Sequence, residues 1–282
     1  MDVHFDLERY LKNSKKVDLA GLDFAQASAH PLSDTEIRCL TYMMDVESHT
    51  VAYLRGILNT CAIEDPQTTA FLSCWAYEEF FHGCALRQFL EAAGVVIDPL
   101  RAVEVQRRAS WTEWLMELGA SFLCRLTPHF HAAYLTWGAI QELSTLEGYG
   151  VLARRTRNPV LAELLRRLAK DERRHFSFYF NKARLLLEPR PAQRLTSFLL
   201  RAFWMPIGSG VKPDSEVDWI LAHILNDGAG AAVAARVDST IQRLPGLTWF
   251  QGLTLNRQRI LGLRSGSPAA PPFLTAAPDP AE

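Results

Sequence analysis

The stretch Leu164–Phe180, LLRRLAKDERRHFSFYF, decides how this chain folds. Its pattern is helical, and Glu172 and His175 stand three residues apart on one helical face, close enough to bind one metal ion. With Lys170 set at 0° and roughly 100° per residue, Leu161, Leu168, Glu172, His175 and Tyr179 all fall within about 40° of the opposite side. Arg166, Arg167, Lys170, Arg173 and Arg174 take the Lys170 side. A carboxylate and an imidazole therefore lie inside the apolar stripe, where a lone ionised group would be very costly.

The same step recurs upstream in FLSCWAYEEFFHGCALRQFL, where Glu79 and His82 share the spacing among Leu72, Trp75, Ala76, Leu86 and Leu90. Two single carboxylates complete the set. Glu47 lies among Leu40, Met43, Met44, Val51 and Leu54, and Glu142 among Leu135, Gly138, Ala139, Leu146 and Tyr149. Glu78 and Glu147 point away from these faces, by about 100° and 140°. Four helices thus aim a Glu into one core, in the order Glu, Glu-x-x-His, Glu, Glu-x-x-His. That order is the ligand pattern of di-iron and di-manganese carboxylate bundles. Four buried carboxylates need positive charge, and two divalent metals supply it. Carboxylates with neutral imidazoles suit iron or manganese, and the absence of cysteine ligands disfavours structural zinc.

Composition sets the frame. The 282 residues are 48% hydrophobic and 22% charged with a formal net charge of −1, ordinary for a globular protein, and that charge does not point to a nucleic-acid partner. Five cysteines without a Cys-x-x-Cys step argue against a disulfide framework. The first residues, MDVHFDLERYLKNSKK, lack the apolar run of a secretion signal, so the expected setting is the reducing cytoplasm. No stretch is long and apolar enough to span a bilayer; FLLRAFWMPIG from Phe198 is broken by Arg201 and Pro206.

The chain divides into an approach segment (1–32), a ferritin-like bundle (33–188), C-terminal helices packed on it (189–264) and a tail rich in Pro, Ala and Ser (265–282), expected to be disordered. Within the approach segment one short helix is expected over Leu7–Leu11. The first long helix opens with a Ser33/Glu36 capping box and runs to about Cys61. Asp65-Pro66 opens the second, which Gly94 ends. A crossover with its own helix, Ala109–Leu126, leads to Thr127-Pro128 and a third helix to about Arg157. Asn158-Pro159 breaks the chain before a fourth helix to about Leu187. Further helices are expected at 192–205, 214–227, 229–243 and 248–262. His4, His30, His49, His129, His131 and His223 have no partner of the Glu-x-x-His kind and take no role. The glycines of IGSGV and DGAGA follow no strand, which argues against a nucleotide loop.

Beyond the ligand pattern, three blocks resemble the soluble acyl-acyl-carrier-protein desaturases of the ferritin-like class. WAYEEFFHG resembles that family's Trp-x-x-Glu-Glu-x-x-His-Gly block. QELSTLEGYGVLARR, from Gln141, resembles its Gln-Glu-x-x-Thr block with the later Ala-Arg. AKDERRH resembles its Ala-Asp-Glu-x-Arg-His block. The likeness covers about residues 33–188. It implies an all-α ferritin-like di-iron oxidoreductase in which Glu79 and Glu172 bridge two irons, with Glu47, His82, Glu142 and His175 as terminal ligands and manganese as the alternative metal at one or both positions. It further implies that Thr145 delivers protons during oxygen activation and that Asp171 orients His82.

The implied partners are an acyl carrier protein or other acyl substrate, dioxygen, an external electron donor such as ferredoxin, and a second copy in a homodimer. An apolar channel beside Glu142 and Thr145 would hold the acyl chain. The chain departs from the plant members in having no Trp before Trp75 and in being shorter. The basic side of the fourth helix (Arg166, Arg167, Lys170, Arg174) is either a docking face for the carrier or a solvated surface. Other readings are a di-iron hydroxylase or N-oxygenase, although the further histidine of N-oxygenases is replaced here by Leu168, and a non-enzymatic iron-handling bundle.

Overall fold

Local signals fix where the long helices start. In the computed structural model, which describes residues 5–58, 60, 64–107 and 111–263, Ser33 and Glu36 form a reciprocal cap. The Ser33 amide donates to the Glu36 carboxylate at 2.9 Å, and the Glu36 amide donates to the Ser33 hydroxyl at 3.2 Å. Helix α2 (Asp34–Leu58) follows. Asp65 accepts from the Gln67 amide, and Pro66 occupies the first position of α3 (Pro66–Ala92), where a missing N–H costs nothing. Gly94, at φ +88°, then turns the chain. The third long helix, α6 (Phe130–Arg155), has His129 rather than Thr127 at its N-cap, with the Thr127 hydroxyl accepting from the His129 amide. Asn158 caps α7 (Pro159–Leu186) through the amides of Val160 and Leu161.

These four helices are the bundle. α2 packs along α3 and α6 along α7, each pair a hairpin. Three residues between α6 and α7 leave room only for an antiparallel turn. Leu40, Leu72, Leu86, Leu135, Leu161 and Leu168 meet in the core with almost no exposure. The fold is an all-α ferritin-like bundle, and every regular element among the described residues is helical. None of the helices is long and apolar enough to cross a membrane.

Connections differ from expectation in detail. The approach segment holds α1 (Leu7–Asn13) and a 3-10 turn, Phe24–Ala29, that the sequence reading did not anticipate. The crossover contains two helices instead of one, α4 (Arg101–Arg107) and α5 (Trp111–Leu126). The Asp98-Pro99 pair before α4 is the same start signal as Asp65-Pro66, and Asp98 accepts from the Leu100 amide at 2.7 Å. The expected end of α2 near Cys61 and the tail 265–282 lie outside the described residues.

Four more helices, α8 (Arg190–Phe203), α9 (Asp214–Leu225), α10 (Gly228–Ile241) and α11 (Gly252–Ile260), cover the bundle. Their attachment is specific. Arg155 of α6 donates to the carbonyl of His223 and pairs with Asp227 at 2.9 Å, and Arg236 of α10 forms a two-pronged pair with Glu147 of α6 at 2.7 and 2.8 Å. Lys212 and Arg101 both reach the buried Asp45 of α2, at 2.8 and 2.7 Å. Tyr42 of α2 donates to the Ile207 carbonyl at 2.7 Å. The next residue must be glycine: Gly208 has φ +84°, and a Cβ there would lie 1.9 Å from the Tyr42 oxygen.

Candidate metal centre

Each bundle helix delivers its singled-out carboxylate to the same place, midway along the core. Glu47 comes from α2, Glu79 and His82 from α3, Glu142 from α6, and Glu172 and His175 from α7; none is more than 6% exposed. They form two quartets. Glu47, Glu79, His82 and Glu172 offer ligand atoms that lie within 4.8 Å of one another, and so do Glu79, Glu142, Glu172 and His175. Glu79 and Glu172 belong to both.

The converging atoms are not satisfied by one another. His82 Nδ1 lies 3.1 Å from Glu172 Oε1, and His175 Nδ1 lies 2.9 Å from Glu79 Oε1. Yet neither contact has hydrogen-bond geometry, and all four atoms are buried without a hydrogen-bond partner. Buried polar atoms left this way demand an occupant. Two imidazole nitrogens and two shared carboxylates aimed at a common space fit a pair of divalent cations with nitrogen and oxygen ligands.

Around the quartets runs a second set of contacts, with a near two-fold relation. Each histidine is held at its far nitrogen by the residue preceding the other hairpin's glutamate. His82 Nε2 faces Asp171 Oδ2 of α7 at 3.4 Å, and His175 Nε2 faces Glu78 Oε2 of α3 at 2.7 Å. Fixing the remote nitrogen sets the ring's tautomer and aim. Each outer carboxylate is held by one aromatic donor: Tyr149 donates to Glu47, and Trp75 Nε1 donates to Glu142 at 3.0 Å. One oxygen of Glu47 and one of Glu142 are thus occupied, leaving the other free to face the site.

Glu78 is the functional side chain the helical wheel passed over. It stands outside both quartets, as its angle predicted. It is nonetheless fully buried and accepts from Tyr10 at 2.8 Å, the Lys15 amide at 3.2 Å and Arg174 at 3.1 Å besides facing His175. Its position immediately before Glu79, matching Asp171 before Glu172, was the available signal. Glu147 lies away from the site, on Arg236. Thr145 is buried one turn after Glu142, its hydroxyl donating to the Gln141 carbonyl at 3.1 Å.

The basic side of α7 is not a uniform free face. Arg167 donates to the carbonyls of Asp18 and Ala20 at 2.7 and 2.9 Å, and Arg174 is committed to Asp171 and Glu78. Arg166, Lys170 and Arg173 remain exposed, with Arg166 beside Glu163. Asp18, Ala20 and Glu78 reach these arginines through tertiary packing, which no helical wheel displays.

Protons balance the cluster when no metal does. Burial drives Glu47 and Glu142 well above the usual carboxylate range, and Glu79 pushes Glu47 the same way. Burial also opposes charge on Glu172, but the adjacent His175 and His82 rings hold it well below its ordinary value. At His82 burial disfavours the cation, yet Asp171 and Glu172 raise it to about 10. His175 is raised too, against its burial, by Tyr10 and by Glu142, Glu172 and Glu78. Glu78, opposed by burial but bonded to His175 and Arg174, falls to about 2.

A search among curated proteins finds no match to the chain. A family model described as fatty acid desaturase does match, over residues 26–209. That span takes in all four bundle helices, both Glu-x-x-His steps and the two acids behind them. Buried quartets and matched span agree, and the chain belongs to the fatty acid desaturase family.

Proposed function

We propose that Glu47, Glu79, His82, Glu142, Glu172 and His175 hold two iron ions, with Glu79 and Glu172 between them, and that the protein desaturates an acyl chain presented on an acyl carrier protein. The observation that carries this reading is the pair of quartets sharing two carboxylates. When bound, the iron pair supplies the oxidising power that lets dioxygen remove hydrogen from an unactivated C–H bond. Iron suits that redox chemistry better than manganese, the other metal such donors accept.

The chain's own groups do the rest. Tyr149 and Trp75 hold the outer carboxylates in single orientations, and Asp171 and Glu78 hold the imidazoles. Thr145 is the hydroxyl placed to pass a proton toward the site: it lies one turn from Glu142 on the same helix, and rotation away from the Gln141 carbonyl frees its proton. The bundle core excludes water. An external one-electron donor of the ferredoxin kind supplies electrons, and a second copy of the chain completes a cytoplasmic homodimer.

Two measurements test the reading in sequence. Protein made in iron-replete cells should carry about two irons per chain, and Glu172→Ala and His175→Ala variants should lose most of it. The iron-loaded protein, given reductant, dioxygen and acyl carrier substrates, should yield an alkene. A hydroxylated product without alkene would replace the desaturase reading with a hydroxylase; iron without turnover of any acyl substrate would favour iron handling.

A further inference from the structure

A line of oxidisable aromatic side chains leaves the site along one face of α6. Tyr134, Gly138 and Glu142 stack there at four-residue intervals, so the line covers about 12 Å of helix. Trp75 begins it, its indole N–H on Glu142 at 3.0 Å. The ring of Tyr179 stands edge-on to Trp75, with centroids 5.9 Å apart. Gly138 makes the seat for that ring, since a Cβ there would lie 2.4 Å from Tyr179 Cε1. The Tyr179 phenol neighbours that of Tyr134, close enough for each to shift the other's ionisation. Tyr134 lines a small cavity with Thr127, Pro128, Phe130 and His131 at the N-terminal end of α6. His131 Nε2 is buried there without a hydrogen-bond partner, and burial keeps its imidazole neutral.

We propose that Trp75, Tyr179 and Tyr134 form an escape route for oxidising equivalents, which protects the metal ligands when dioxygen is activated with no acyl chain in place. This rests on the iron reading above. Tryptophan and tyrosine surrender electrons only to strong oxidants. The line therefore does not serve a low-potential donor filling the resting site, and it conducts only when the oxygen-oxidised centre finds no C–H bond. One electron then passes from the Tyr134 phenol through Tyr179 and Trp75 to the centre. The phenolic proton of Tyr134 goes to His131 in the shared cavity. The neutral tyrosyl radical left behind takes a hydrogen atom from a small thiol, which becomes a thiyl radical.

Two other tyrosines near the site end elsewhere. Tyr149 is fully buried with its hydroxyl on Glu47. Tyr10 donates to Glu78, whose oxygens are already engaged by His175, Arg174 and the Lys15 amide.

The test uses the full chain loaded with ferrous iron, iron content measured first, mixed with dioxygen without substrate and frozen for electron paramagnetic resonance. A radical whose spectrum narrows on incorporation of ring-deuterated tyrosine is expected. Its line shape should change in Tyr134→Phe, and the signal should vanish in the Tyr134→Phe/Tyr179→Phe double variant at unchanged iron content. Peptide mass analysis should then show several-fold more oxidation at Trp75, His82 and His175. A signal that survives in the double variant, or an iron-loaded parent that oxidises without any tyrosyl radical, overturns the route alone. Failure to bind iron overturns both the route and the reading beneath it.

Discussion

Single residues at the centre carry a cost in the metal-free fold. Glu47 shows this, because burial and Glu79 raise its folded pKa above its unfolded value. A carboxylate raised in this way weakens the fold above the unfolded pKa, and that penalty fades as pH falls. Glu47→Gln keeps an acceptor for Tyr149 and removes the penalty. Thermal or denaturant unfolding at neutral pH should find the metal-free variant more stable by about 1–3 kcal/mol, while iron binding is lost. The imidazoles set the pH dependence. His82 is raised to about 10 without metal, so any cation that takes its Nδ1 as a ligand must displace its proton. Metal titrations between pH 6 and 8 should show affinity rising with pH and protons released on binding; a flat profile would mean that the histidines are not ligands. Glu78→Gln should weaken metal binding by about 10- to 100-fold while the chain stays folded, read by calorimetry beside circular dichroism. The six inward residues could be read from helical period alone, because direction on a helix follows from spacing. Glu78 could not, because its partner is the far nitrogen of a ring carried by another helix.

Among the elements, helix starts were the most legible feature, since Ser33, Asp65 and Asn158 each act on amides two or three residues away. Asn158 also does something no local pattern carries. Its buried side-chain amide donates to the carbonyls of Ala27 and His30 at 3.0 and 2.9 Å, clamping the approach segment to the α6–α7 turn. Asn158→Ala should therefore cost about 2–4 kcal/mol in chemical denaturation, for the cap and for the carbonyls left behind. Ser33→Ala, at an exposed cap, should cost about 1 kcal/mol. Equal losses for the two would show the clamp to be idle. The 3-10 turn at Phe24–Ala29 escaped the sequence reading because it is short, and its place depends on this contact with a residue more than a hundred positions later.

At the level of the whole molecule, the bundle was legible because one buried stripe repeats four times, whereas the ion pairs that help fasten the C-terminal helices join distant residues and were not. Asp45 is the clearest case. From α2 it takes Arg101 of α4 on both oxygens and Lys212 from the loop before α9, all in a partly closed space. Asp45→Asn leaves Lys212, itself largely buried, with Glu216 as its remaining counter-charge and takes from Arg101 its two-pronged partner, and should cost about 3 kcal/mol in unfolding experiments. Loss of an order of magnitude less would mean that water supplies what Asp45 does.

The exchange of partners between the hairpins bears on time as well as on energy. His82 of one hairpin leans on Asp171 of the other, and His175 on Glu78 in return. Neither hairpin can finish a binding pocket alone, and the pocket closes only after contacts far apart in the chain have formed, late on the folding path. An ion held there grips a state that the transition state has not reached, so it acts as a latch on departure. Stopped-flow traces with and without iron should show unfolding slowed many-fold and the folding limb nearly unmoved.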